Sequence, residues 1–165
     1  MTSRSRAALA GTWLFAVALW CGTLAFFGAF GARTVLVTAP SRHAAGAVNR
    51  ALLDGLDAVS LGASALLVLG AVVWNRMRPW SARARGLVLR LLAVAFVAAV
   101  TSRYVITPEM MALRERMGPI DLVAKTDPLR QDWGRLHGLS SLTLVVRFFA
   151  AAGAFAAGFS QLPRE

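Results

Sequence analysis

At 165 residues, with 57% hydrophobic and 16% charged side chains, the chain falls well short of the roughly one-quarter charged residues usual in a soluble domain. Its net charge of +10 comes from 18 basic residues against 8 acids, every basic residue but Lys125 being arginine. In a soluble protein that excess would suggest nucleic acid. Here the arginines flank or interrupt apolar runs, which points to membrane lipids and topology and leaves no nucleic-acid partner.

Four apolar runs are present, and about 20 apolar residues in helical form cross a bilayer core. The expected spans lie at about 9–32, 56–75, 86–106 and 138–160 of a single transmembrane domain covering 1–165. The first run is longer than the apolar region of a signal peptide, about 7–15 residues, and reads as a retained helix with Trp13 as an interfacial anchor. Cys21, the one cysteine, lies inside it. Before the second span comes a polar lead-in, SRHAAGAVNRALLDGLD, with Ser41 as an N-cap and Arg50 and Asp54 spaced as an i,i+4 pair.

Between the second and third spans, NRMRPWSARAR carries Arg76, Arg78, Arg83 and Arg85 without an acid, beside Trp74 and Trp80. By the positive-inside rule this loop faces the cytoplasm, where it would meet anionic headgroups, and Arg4 and Arg6 agree. Both termini would then be cytoplasmic. The arginine bias fits a GC-rich bacterial genome, so the expected location is a bacterial inner membrane.

The third span holds Arg90 and Arg103 near its ends, placed to snorkel. Beyond it, Thr107-Pro108-Glu109 has the form of a helix start, opening a short amphipathic helix EMMALRERM that Gly118-Pro119 stops. The alternative is a continuous third helix kinked at Pro108. Asp127 before Pro128 is a second start signal, so the fourth helix should begin in the aqueous phase and enter the membrane near His137. The pairs Ala25 with Ala29, Ala58 with Gly62 and Gly153 with Ala157 are small-residue contacts suited to bundle packing, or to a homo-oligomer or membrane-protein partner.

Arg147 is the sharpest single signal. Eight residues beyond Leu139, it lies roughly 12 Å deep. An arginine there costs at least about 2.5–3.5 kcal/mol, so it needs a partner or a water-filled cavity. Candidate partners are Asp57, Asp54, Ser60, Ser64, Thr101 and Ser102. His137 and His43, the only histidines, fall on the same proposed outer side as Met110, Met111 and Met117. Such donors suit haem or copper, although no tight spacing motif links them. No paired carboxylates, nucleophile elbow or phosphate loop appears, so the reading leans to a non-enzymatic protein.

Two segments, SRYVITPEMMALRERMG and DPLRQDWGRLHGLSS, resemble the transmembrane protein 205-like domain family, also described as domain of unknown function 4149. The resemblance falls on Arg103, Tyr104, Pro108, Leu113 and Arg114, then on Leu136, His137, Gly138 and Ser140. The apolar opening LWCGTLAFFGAF and the later TAP are also similar. Cys21-Gly22 departs from an expected glycine pair, and Thr143 from an expected amide. The resemblance implies a four-helix membrane protein, with a vertebrate relative linked to platinum-drug resistance and secretion, and no established activity. A more distant similarity to copper-resistance D type and haem-associated protoporphyrinogen oxidase type proteins is what keeps haem or copper as an alternative cofactor.

The expectation is therefore an all-α bundle of four transmembrane helices with a polar outer cap built from residues 38–57 and 102–138. A ligand or ion would be bound or passed by Arg103, Tyr104, Arg114, His137, Ser140, Arg147 and Asp57. The alternatives are a haem or copper protein using His137 and His43, and a structural or assembly partner of another membrane protein.

Overall fold

The computed structural model describes residues 3–77 and 79–162; Arg78 of the basic loop lies outside the described residues, as do the side chains of Arg4 and Arg6. The described chain is helical almost throughout, without a strand. Four helices are long and apolar enough to cross a membrane: α1 (Ala7–Thr38), α2 (Arg42–Met77), α3 (Ala82–Met117) and α4 (Pro128–Phe159). This is a multi-pass α-helical membrane protein. Short turns join α1 to α2 and α2 to α3, while residues 118–127, with a 3-10 turn at Ile120–Leu122, lead from α3 into α4.

All four helices run well past the apolar runs. The polar lead-in to the second span is helix from Arg42 onward, capped by Ser41, whose Oγ accepts from the Ala44 N–H at 3.1 Å. Arg50 Nε and Asp54 Oδ2 stand 3.6 Å apart on that lead-in, as their spacing predicts. Asp127 caps α4 through the N–H groups of Leu129 (2.8 Å) and Arg130 (3.3 Å), so α4 does begin ahead of its apolar run.

Thr107-Pro108-Glu109 does not start a new helix. The third helix continues through it by way of a π turn at Ser102–Ile106, in which the Thr107 N–H bonds to the Ser102 carbonyl. Pro108 has no N–H to donate, and its ring crowds the carbonyl four residues back; widening the preceding turn accommodates both. Gly118 (φ 71°) and Pro119 end α3 as expected. A second π turn, Phe27–Gly31, interrupts α1.

One end of the bundle, carrying the turn between α2 and α3, is packed solid. Trp13, Trp74 and Trp80 form a mutually edge-on cluster with ring centroids 4.7–5.9 Å apart. Trp13 is buried rather than interfacial: its indole N–H donates to the Leu67 carbonyl at 2.8 Å, and its ring fills the space left by Gly70 and Gly158. A single polar indole atom, once satisfied inside, favours burying so large an apolar ring. Helix α3 packs against α4, and Ala95 of α3 with Ala150, Ala151 and Ala154 of α4 belong to the buried core. Among the pairs expected from the sequence, Ala25, Ala29, Ala58 and Gly62 are exposed, while Gly153 lies against Leu91. Of the expected pairs, Gly153 with Ala157 thus packs inside the bundle, while those on α1 and α2 face outward.

Candidate functional site

The residues expected to form one site occupy three adjoining places at the opposite end of the bundle, here termed the cap end. The deepest is an ion pair. Arg147 on α4 and Asp57 on α2 are both 0% exposed, and Arg147 Nη1 donates to Asp57 Oδ1 at 2.6 Å. Arg147 Nη1 also lies 3.3 Å from Ser60 Oγ, and Nε donates to the Thr143 carbonyl at 3.2 Å. Trp20 on α1 donates its indole N–H to the same Ser60 Oγ at 3.2 Å. Of the six candidate partners for Arg147, Asp57 and Ser60 are thus the ones bonded; Asp54 pairs with Arg50 instead, and Ser64 Oγ donates to the Ser60 carbonyl.

The pairing follows from cost. An isolated charge at this depth is held against several kcal/mol of lost hydration, so a carboxylate on the facing helix is the strongest available compensation. Compensation is incomplete, since Asp57 Oδ2 and Arg147 Nη2 are buried with no partner within the protein.

Above the pair opens a chamber of about 630 Å³, lined by all four helices. On α4 its deepest lining residue is Ser140, two helical turns before Arg147; on α2 it reaches down to Leu53 and Asp54, one turn before Asp57. Five arginines line it: Arg33 from α1, Arg42 and Arg50 from α2, Arg114 from α3 and Arg130 from α4. One carboxylate, that of Asp54, faces them and already pairs with Arg50. Arg114 donates to the His43 carbonyl at 2.5 Å, and Arg130 to the Val123 carbonyl. Gly46 makes the first contact possible, since a Cβ there would stand 2.5 Å from Arg114 Nη1. The side chains of Arg33 and Arg42 make no hydrogen bond or ion pair among the described residues. The rest of the lining is largely apolar, with Leu36, Leu53, Met110, Met111, Met117 and Trp133 prominent.

Both π turns border this space. Chamber lining starts at Gly28 inside the first and at Thr107 just after the second. Such turns add a residue locally and re-aim the helix beyond, and they recur at functional sites.

Arg103 and Tyr104 fall in a shallower cleft alongside, bordered by Arg50, Asp54 and Met111, which it shares with the chamber. Arg103 donates to the Asp54 carbonyl at 3.0 Å, and the Tyr104 ring is exposed. His137 lines the chamber, stacked on Trp133 with ring centroids 5.1 Å apart. His43 is exposed and absent from the lining; its main chain serves instead, the N–H bonding Asp121 Oδ2 and the carbonyl accepting from Arg114. Among the described residues no group of three or more His, Cys, Asp and Glu side chains gathers in one place. His137 shares its chamber with three thioethers, but also with five guanidiniums, which oppose a cation.

Arg33, Arg42, Arg130 and Asn49 belong to the site and are not singled out by the sequence reading. Near helix ends, arginines read as topology charges. Asn49 offered no pattern, yet its Nδ2 donates to the Ala32 carbonyl at 3.2 Å while its Oδ1 is buried without a protein partner at the chamber wall.

The family model described as Domain of unknown function (DUF4149) matches residues 15–119, and the chain belongs to that family. The matched stretch includes Asp57, Arg103, Tyr104 and Arg114 and ends before the helix that carries His137, Ser140 and Arg147. No curated protein and no solved structure matches the chain.

Proposed function

We propose that this membrane protein binds or passes a small anionic ligand through the cap-end chamber, without catalysing a reaction on it. One observation carries the reading: five arginines from four different helices line an apolar-walled space that holds one carboxylate, already paired. Arginine matches carboxylate and phosphate oxygens with a rigid fork of donors, and low-dielectric walls strengthen the attraction. The same charge argues against a copper ion at His137. The Asp57–Arg147 pair serves as the anchor beneath the chamber, joining α2 to α4.

The orientation that goes with this reading places the Arg76–Arg85 turn and both termini in the cytoplasm and the chamber on the outer face of a bacterial inner membrane. A reporter fused at Pro79 is expected to signal from the inside; an external signal reverses the assignment. Native mass spectrometry of the protein released from its membrane should show anionic adducts that are lost in the Arg33→Gln/Arg42→Gln double variant. A spectrum that the double variant leaves unchanged overturns the anion reading. Metal analysis and absorption spectra of the same preparation test the alternative, for which a reconstitutable chromophore or stoichiometric copper is required.

A further inference from the structure

We propose that the chamber's ligand is a single-chain amphiphile with an anionic head, a fatty-acid carboxylate or a lysophospholipid phosphate, its head held by Arg33 and Arg42 and its chain lying toward Ser140. This rests on the anion reading above and specifies what is attached to the anion. An inorganic anion needs donors and water, and gains nothing from thioether, leucine and indole walls. Yet Leu36, Leu53, Met110, Met111, Met117 and Trp133 share the lining with the arginines, and the lining is largely apolar.

Dimensions and charge agree. From Arg130 to Ser140 along α4 the chamber runs roughly 15 Å at about 1.5 Å per residue, and its volume of about 630 Å³ lies within the range of pockets that enclose organic ligands of moderate size. Methionine is the apolar side chain best able to conform to a flexible chain, and three of them come from the last turns of α3. Charge is graded as the ligand requires: the arginines without side-chain partners, Arg33 and Arg42, come from the ends of α1 and α2 nearest the connecting turn, while toward the deep end the charged groups Arg50 and Asp54 pair with one another beside the uncharged Ser140.

The test uses the full chain in nanodiscs of zwitterionic lipid, with radiolabelled palmitate, lysophosphatidate, inorganic phosphate and hexadecanol as probes. Saturable binding of palmitate or lysophosphatidate is expected at one per chain, with the alcohol and inorganic phosphate at least about tenfold weaker, the equivalent of about 1.4 kcal/mol. Arg33→Gln/Arg42→Gln should weaken the amphiphile about tenfold or more, and Met110→Gln/Met117→Gln should weaken it while leaving any phosphate binding unchanged. Should the methionine variant fail to give monodisperse protein, Leu36→Gln replaces it, at a side chain already 54% exposed. Which of the two amphiphiles binds tighter identifies the head. If phosphate binds as well as the amphiphiles and the wall variants change nothing, the amphiphile proposal falls while the anion reading stands. If hexadecanol binds as well as palmitate, the arginines do not select the ligand and the amphiphile proposal falls with them. If no anionic probe binds, both readings fall.

Discussion

The two ends of this bundle carry the same kind of charge and put it to opposite use. At the end with the α2–α3 turn, Arg76, Arg83 and Arg85 are exposed around a closed core of three tryptophans. At the cap end, arginines from all four helices face a common space, and the helices that frame it are each interrupted or extended: α1 and α3 by π turns, α2 and α4 by polar first segments. An arginine's meaning therefore depends on whether the neighbouring helices close behind it. Where tryptophans fill the bundle axis, arginine stays on the outer surface; where the axis is open, it becomes a lining residue.

Between the two ends lies the Asp57–Arg147 pair, and breaking it should produce the largest effect. Asp57→Leu leaves a buried guanidinium uncompensated and is expected to cost about 3–5 kcal/mol, seen as loss of monodisperse protein or a large fall in unfolding temperature. Asp57→Leu/Arg147→Met removes both charges and should recover most of that loss, since an apolar pair of similar volume is often neutral or better. A double variant as unstable as the single one would mean that the pair does more than neutralise itself, for instance by fixing Ser60 and Trp20.

Next in size is the closed end. Gly158→Val or Gly70→Val sets a side chain against the Trp13 ring and should cost about 1–3 kcal/mol through overpacking. The comparison sharpens if Gly134→Val on the cap-end part of α4, where nothing lies within 4 Å of an added Cβ, leaves unfolding unchanged or slightly raised by better helix propensity. Equal losses at the two ends would remove the contrast between a sealed and an open axis.

What the sequence made legible is mostly local. Ser41, Asp127 and the Arg50–Asp54 pair act within four residues along one helix, so their spacing alone specifies the contact. Arg147 announced the need for a partner because burial of a charge has a known cost, but the choice of Asp57 over Asp54 depends on how α2 is rotated against α4, which no spacing encodes. The error at Trp13 has a similar origin: a tryptophan near the end of an apolar run suits either a headgroup or a core, and Gly70 and Gly158, far away in sequence, decide between them. The chamber was the least legible feature. Its arginines come one or two per helix, each explicable by topology, and only the fold shows that they converge.

A smaller effect comes from the helix start that brings Arg130 to the chamber. Asp127→Ala removes the acceptor for two N–H groups of the first turn and should cost about 1 kcal/mol, with Asp127→Ser recovering most of it. Because Arg130 and Trp133 lie in the first turns of α4, fraying there should also loosen the chamber wall, and hydrogen exchange confined to residues 128–134 would report it.

The smallest effect on stability is the most telling about purpose. Arg33 and Arg42 are exposed and their side chains bond nothing among the described residues, so Arg33→Gln/Arg42→Gln should change the unfolding free energy by less than about 0.5 kcal/mol. Arginines that helped to hold the cap together would cost more on removal, as an Arg114→Gln variant should, through loss of the bond to the His43 carbonyl that ties α3 to α2. Relieving repulsion among five like charges could even raise the unfolding temperature slightly, most visibly at low salt, where screening is weakest. Such a gain in the empty protein, coupled to loss of anionic adducts, is the signature of charge kept for a ligand at the expense of the fold. An unfolding temperature that drops by several degrees in the double variant would instead assign Arg33 and Arg42 a structural part and leave the chamber's selectivity to Arg114 and Arg130.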